Sequence, residues 1–419
     1  MNFPKMFLAK RRTEASSPRI EDIQGAIVSE MRRLNLQHKI KPGMRIAVTA
    51  GSRGITNNVL ILATVVSELK KYGAQPFLIP CMGSHGGATP EGQVGVLTAL
   101  GVTEESVGCP IVSQMDVVEL GHTQEGIPVY IDKVAASADG IVVVNRVKPH
   151  TEYTGDIESG LIKMMTIGLG KHRGALATHR YAVQYGYQAV IPSIAREILK
   201  STSILFGLAV VENTHDEIAR VVAVEPDSLE ETEKALLEES RGFLATLPFN
   251  KLDILIVDEM GKEISGTGID TNVIGRIMFI GGPEPASPRI TRIVVLDLTK
   301  ESQGSAVGVG LADFITRRLV NKVDYRVTYI NCLTAMTPEK ARLPVVGETD
   351  KEVIEWAFQT IGAVEPQQAR VVKIKNTLHL DEIYISQLLV SELESKSDWE
   401  VEQKAYEVRF DHDGNVYLG

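Results

Sequence analysis

Cysteine is scarce in this chain of 419 residues: Cys81, Cys109 and Cys332 are widely separated and form no Cys-x-x-Cys pair. An odd count at that spacing excludes a disulfide framework and a thiolate zinc site, so three buried, reduced thiols are expected. Basic charge is also in short supply. Lys and Arg number 44 against 53 Asp and Glu, a formal charge of −9, and no basic run extends beyond Lys10-Arg11-Arg12. That lacks the footprint of a nucleic-acid binder. Long apolar runs are missing too: no stretch approaches the ~18–20 residues of a membrane span. Pro4 and Lys5 interrupt the segment after Met1 before it could form the core of a signal peptide. A soluble, cytoplasmic protein is expected, with neither nucleic acid nor membrane as a partner.

What is present is a globular composition, 44% hydrophobic and 23% charged, which excludes a disordered or fibrous chain. At roughly 100–200 residues per domain the length predicts at least two domains. Ser17-Pro18 reads as a helix start, followed by Ile20, Ile23, Ile27, Met31 and Leu34 at helical spacing. Then come a strand at 45–49, a turn at Gly51-Ser-Arg-Gly54, a helix at 59–72 and a strand at 76–80, an order that requires a parallel crossover. Thr89-Pro90 starts another helix, 140–144 reads as a buried strand, 190–199 as a helix and 204–211 as a strand. Ser228 and Glu231 have capping-box spacing ahead of a charged helix to about 244.

A boundary near Pro248 divides 1–248 from 249–419. In the second part strands are expected at 252–257, 292–296, 325–330 and 369–374. Helices are expected at 311–323, 351–361 and 381–393, with a hairpin at 406–419 turning at Asp413-Gly414. The fold class is α/β: two α/β domains with mostly parallel sheets and an active-site cleft between them.

Glycine-rich loops concentrate the reactive side chains. Gly51-Ser52-Arg53-Gly54 lies where a strand passes into a helix, so its N–H groups and Arg53 suit an anion. His85 sits in Met82-Gly-Ser-His-Gly-Gly with no apolar periodicity around it, and loops after successive parallel strands open on one side of the sheet. The stretch 147–179 holds His150, Lys163, His172 and His179, a density of imidazole that packing does not explain. Within it Lys171 reads as a solvated surface lysine and His172 as a turn cap. Gly168-Leu-Gly-Lys-His lacks the full P-loop spacing, which excludes an ATPase. Two further loops, 259–270 with Arg276 and 299–305, could supply cationic or amide donors.

Taken together, these residues resemble the nickel-dependent lactate racemase family of α-hydroxy-acid racemases and epimerases, most strongly over 51–179. His85 matches a Gly-x-His loop. Pro149-His150 leads through Gly160 to Lys163, with Gly168 five positions and His179 sixteen positions beyond that lysine. The resemblance implies a nickel-pincer nucleotide (Ni(II) pyridinium-3,5-bisthiocarboxylic acid mononucleotide), covalently attached or tightly bound. It implies Lys163 as the anchor, His179 as the protein ligand to nickel, and Ser52, Arg53 and Gly54 as the phosphate site. His85 and His150 would be the acid/base pair, and Gln303 a substrate contact. Cofactor-synthesis proteins would be partners, and a homo-oligomer stays open. The stretch from His150 to Lys163 is about three residues longer than in the lactate enzyme. Ala50 replaces an acidic residue expected before Arg53, and Ala306 a lysine expected after Gln303. These departures favour a 2-hydroxy acid other than lactate, longer or more hydroxylated.

Two other readings fit the residues alone. One is a divalent-metal isomerase or dehydratase with His85, His150 and His179 as ligands and Lys163 as base. The other is a nucleotide-binding module without catalysis.

Overall fold

Strands of branched aliphatic residues that are buried on both faces must lie inside a parallel sheet, and a computed structural model of the chain arranges them so. It describes every residue except 13–17 and 53. The chain forms two units, one of Ser17–His150 and Thr154–Leu244, the other of Met1–Ser16, Thr151–Tyr153 and Ala245–Gly419.

In the first unit, Gln75–Pro80, Arg45–Ala50, Gly140–Arg146 and Ile204–Glu212 lie side by side in parallel, and Ile218–Val224 closes the sheet antiparallel. Ile46, Val48, Leu78, Val142 and Val144 are fully or almost fully buried against the helices Ile23–Arg33 and Asn58–Lys71. The four parallel strands end on one edge of the sheet, and the loops that carry Ser52, His85 and His150 all leave from there.

In the second unit, Val345–Gly347, Phe314–Thr316, Arg289–Val295, Lys251–Val257 and Val371–Ile374 run parallel. Glu382–Ser386, Met6–Arg11 and Trp399–Tyr406 then follow antiparallel. Both sheets are thus mostly parallel, and the fold is α/β.

Several local expectations change. The division at 248 gave Met6–Arg11 to the first domain, but this strand pairs with Glu382–Ser386 and Trp399–Tyr406, burying Met6 and Ala9. The first helix starts at Ile23, where the Asp22 carboxylate accepts from the Gly25 N–H at 2.8 Å; Ser17 lies outside the described residues. Ser228 makes no side-chain cap. The helix expected at 311–323 is broken by the strand Phe314–Thr316, which is buried between parallel neighbours. The strand expected at 325–330 is the helix Tyr325–Thr334, because Asp324 caps the Val327 N–H at 2.9 Å and outweighs a weak β-propensity. The helix expected at 381–393 is a strand, with Ile383 and Ile385 facing the core, followed by the helix Gln387–Glu394. The three thiols are free and buried.

Candidate active site

The segment around Lys163 is helical rather than loop-rich, and its irregularities lie at the candidate residues. Leu161–Lys163 is one helical turn, Met164–Gly168 is a π turn, and Lys171–Tyr185 is a regular helix that carries His172 and His179. A π turn inserted in a helix frequently marks a functional position. The five-residue spacing from Lys163 to Gly168 therefore has a steric basis. A Cβ at Gly168 would lie 2.5 Å from Met164 Sδ and 3.1 Å from the Cys81 carbonyl, so only glycine lets the turn settle on the sheet edge.

Backbone groups before Lys163 are held from below. The Asn145 side-chain amide donates to the Gly160 carbonyl at 2.7 Å, and the buried Glu233 carboxylate accepts from the Ile162 N–H at 2.9 Å. Burial pushes the Glu233 carboxyl up to about 7, although the N–H groups of Ile162 and Leu161 pull the other way. Its carboxyl carbon would be 2.4 Å from a Cβ at Gly160, so a side chain there would displace it.

His85 is exposed, in the loop after Gln75–Pro80, and its Nδ1 lies 2.5 Å from Ser52 Oγ in the loop after Arg45–Ala50. Two sequence-predicted residues are thus in direct contact. Gly51 and Gly83 of the same loops abut the π turn: added side chains would meet Met164 Cε at 3.1 Å and Ile167 Cγ2 at 3.2 Å. Gly54 is exposed, and Arg53 lies outside the described residues.

His150 is half-buried in a loop pinned at its base by paired backbone bonds between Lys148 and Ser159, at 2.9 and 3.1 Å. Its N–H donates to Glu158 Oε2 at 2.5 Å, while Glu158 Oε1 accepts from the Gly155 N–H at 3.0 Å and from Arg241 at 2.7 Å. Burial raises the Glu158 carboxyl against the pull of these donors.

His179 is half-buried, one helical turn after Ala175, which faces Gly83. Its Nδ1 pairs with the Tyr187 hydroxyl at 2.7 Å, and the rings meet edge to face. A ring fixed at Nδ1 would ligate a metal through Nε2. Among the described residues, three potential ligands converge within 4.8 Å at the exposed Asp411, His412 and Asp413, and His85, His150 and His179 form no such cluster.

Cys81, beside this site, is pushed up to about 12 by burial, with Lys171 lowering it only in part, so it is no nucleophile at neutral pH. Lys171 corrects the sequence-based expectation of a solvated lysine: it is fully buried and 3.1 Å from Asp132. In the second unit, Gln303 is exposed in a left-handed turn (φ 49°) lining a pocket of about 360 Å³ with Lys262, Glu263, Ser305 and Asn331.

Residues 5–189, the stretch that contains these loops, match the model of the lactate racemase N-terminal domain. Over this stretch the chain is similar to the lactate racemase family. The structure is similar to that of the lactate racemase apoprotein from Thermoanaerobacterium thermosaccharolyticum, with a TM-score of 0.52 and 12% identity. The match covers 89% of this chain and 98% of that one, a likeness of fold. A comparison with curated proteins finds no match. Lys163, His150 and His179 lie within the matched stretch, whereas Glu158, Tyr187 and Glu233 escaped sequence reasoning. They act through backbone atoms or another side chain, which no spacing advertises.

Proposed function

We propose that this chain is a racemase or epimerase that inverts the hydroxyl-bearing α-carbon of a 2-hydroxy acid with a nickel-pincer nucleotide. The observation that carries the proposal is the π turn between Lys163 and Gly168, laid on the sheet edge beside the Ser52–His85 pair.

The residues fit such a group. His179 offers an imidazole oriented by Tyr187, and neutral nitrogen suits square-planar Ni(II). Lys163 is half-buried at the end of a turn whose backbone is anchored by Glu233 and Asn145, so its amine has a restricted reach. Ser52 and Gly54 flank the turn between strand and helix, where a phosphate finds N–H donors. When bound, the cofactor would accept and return hydride at the α-carbon, chemistry that protein side chains lack.

The chain's own work is proton transfer and positioning. An imidazole near its ordinary pKa of ~6.5 can take the hydroxyl proton and return it at neutral pH. Inversion presents the hydroxyl from opposite sides, so two bases are needed, and His85 and His150 lie on separate loops. Ser52 Oγ meets His85 at Nδ1 and so orients the ring. Glu158 holds the backbone of His150. The substrate is proposed to be a 2-hydroxy acid other than lactate, since Ala306 supplies no cation where the family resemblance implies a lysine.

The test is to produce the chain together with cofactor-synthesis proteins and measure metal content, intact mass and racemisation of a panel of 2-hydroxy acids. One nickel per chain, added mass on the Lys163 peptide and interconversion of enantiomers are expected. Activity with another divalent ion and an unmodified, nickel-free chain would overturn the proposal.

A further inference from the structure

A lysine with no exposed surface is uncommon, and one that begins a helix in a left-handed conformation (φ 53°) is more so. Lys171 has both properties. Its ammonium donates to the carbonyl of Pro80, the last residue of the strand before the His85 loop, and lies 3.1 Å from Asp132. It also reaches Gln93 Oε1 at 3.4 Å. The other end of that amide, Gln93 Nε2, donates to the carbonyls of Gly83 at 3.0 Å and His85 at 3.4 Å. Asp132 completes the circuit: its N–H donates to the Leu169 carbonyl at 2.7 Å, and its Oδ1 accepts from Val134 and Ala135. All three side chains are fully buried.

We propose that Lys171, Asp132 and Gln93 form a buried relay that locks the His85 loop to the helix carrying His179, with Lys171 as a positioning residue for the candidate site. The ammonium of a helix residue hydrogen-bonds to the His85-loop side and is ion-paired with Asp132. Pro80 and, through Gln93, His85 lie on one side, and the first turn of the Lys171–Tyr185 helix lies on the other. A buried ion pair contributes little net stability once desolvation is counted, so stability alone is a poor reason for this arrangement. What the pair does supply is a fixed distance between two loops. The Ser52–His85 contact needs that distance, because His85 itself is exposed and its loop is rich in glycine. The relay thus deepens the racemase reading and rests on it for its catalytic consequence, though the structural coupling stands without it.

The test uses two variants that leave no buried charge unpaired: Gln93→Leu, and Lys171→Met combined with Asp132→Asn. The first readout is the ring signal of isotopically labelled His85 in the cofactor-free protein, with exposed His412 as internal control. Both variants should fold cooperatively and leave His412 unchanged, while the His85 signal moves to that of an imidazole without the Ser52 partner. The second readout is turnover of the loaded enzyme. A misplacement of about 1 Å can cost about 10²-fold, so kcat should fall by about that factor in both directions while KM stays within about twofold. An unchanged His85 signal in folded Gln93→Leu and in the folded double variant overturns the relay. If the wild-type chain holds no nickel and racemises nothing, the functional reading fails instead, and the His85 signal still decides the relay.

Discussion

Tyr187 places its hydroxyl 2.7 Å from His179 Nδ1, across the break between two helices at Gly186. An imidazole held at one nitrogen presents the other in a defined direction, and loss of such a partner typically costs about 10–100-fold in metal affinity. Tyr187→Phe keeps the ring packing and removes the hydroxyl. The loaded variant should lose nickel to a competing chelator about 10–100-fold more readily than the wild type, with an unchanged melting temperature. Equal retention would remove Tyr187 from the site.

The motif spacing from Lys163 to Gly168 makes a second prediction. Gly168→Ala puts a methyl 2.5 Å from Met164 Sδ, an overpacking that typically costs about 1–3 kcal/mol. The π turn should shift, lowering the melting temperature and the fraction of chains modified at Lys163. Adding Met164→Ala makes room and should restore part of both. Absence of any rescue would mean that the Cys81 carbonyl, not Met164, sets the constraint.

Much of the first sheet was legible because continuous apolar runs such as Gly140–Val144 admit few environments, and glycine flanked by titratable residues marks loops. The second unit was less so. Phe314–Thr316 is too short to show a period, and Tyr325–Thr334 carries β-formers on an exposed helix fixed by one cap. Among the candidate site residues, His85, His150, Lys163 and His179 stood out by type and spacing. Lys171 was misread because the carboxylate that neutralises it, Asp132, is distant in sequence and arrives through a hairpin of Val117–His122 with Pro128–Asp132. Pairings of that kind exist only after folding.

Glu233 links the Lys163 turn to pH. Its folded-state pKa of about 7 is raised above the ordinary value of 4.5, so the folded chain binds the proton more tightly than the unfolded one. Stability from this group is full below about pH 4.5 and is lost progressively up to about pH 7, a change of about 3 kcal/mol. Glu158, Asp258 and Asp350, also raised by burial, act in the same direction. Denaturant titrations should show greater stability at pH 5 than at pH 8, and Glu233→Gln should remove about 3 kcal/mol of that difference. An equal pH dependence in the variant would place the proton elsewhere.

The two histidines provide the test of mechanism. If His85 and His150 serve as opposite bases, each turnover uses one to take the hydroxyl proton and the other to return one, so removal of either must block both directions. A single-base enzyme would instead be disabled by removal of only one of the two histidines. General acid–base assistance is worth typically 10²–10⁴-fold, and His85→Ala and His150→Ala should each lose about that much while retaining nickel and the modified Lys163. Ser52→Ala removes only the hydroxyl that orients His85, so it should lower the rate less than His85→Ala does, equally in both directions. Deuterated solvent separates hydride transfer from proton abstraction. Hydride returned to carbon is the hydride that left, so product should carry little solvent deuterium at Cα, whereas a carbanion exchanges with a protonated base before reprotonation. Stoichiometric deuterium at Cα would support the divalent-metal route and would leave Lys163, rather than the histidine pair, as the base to examine.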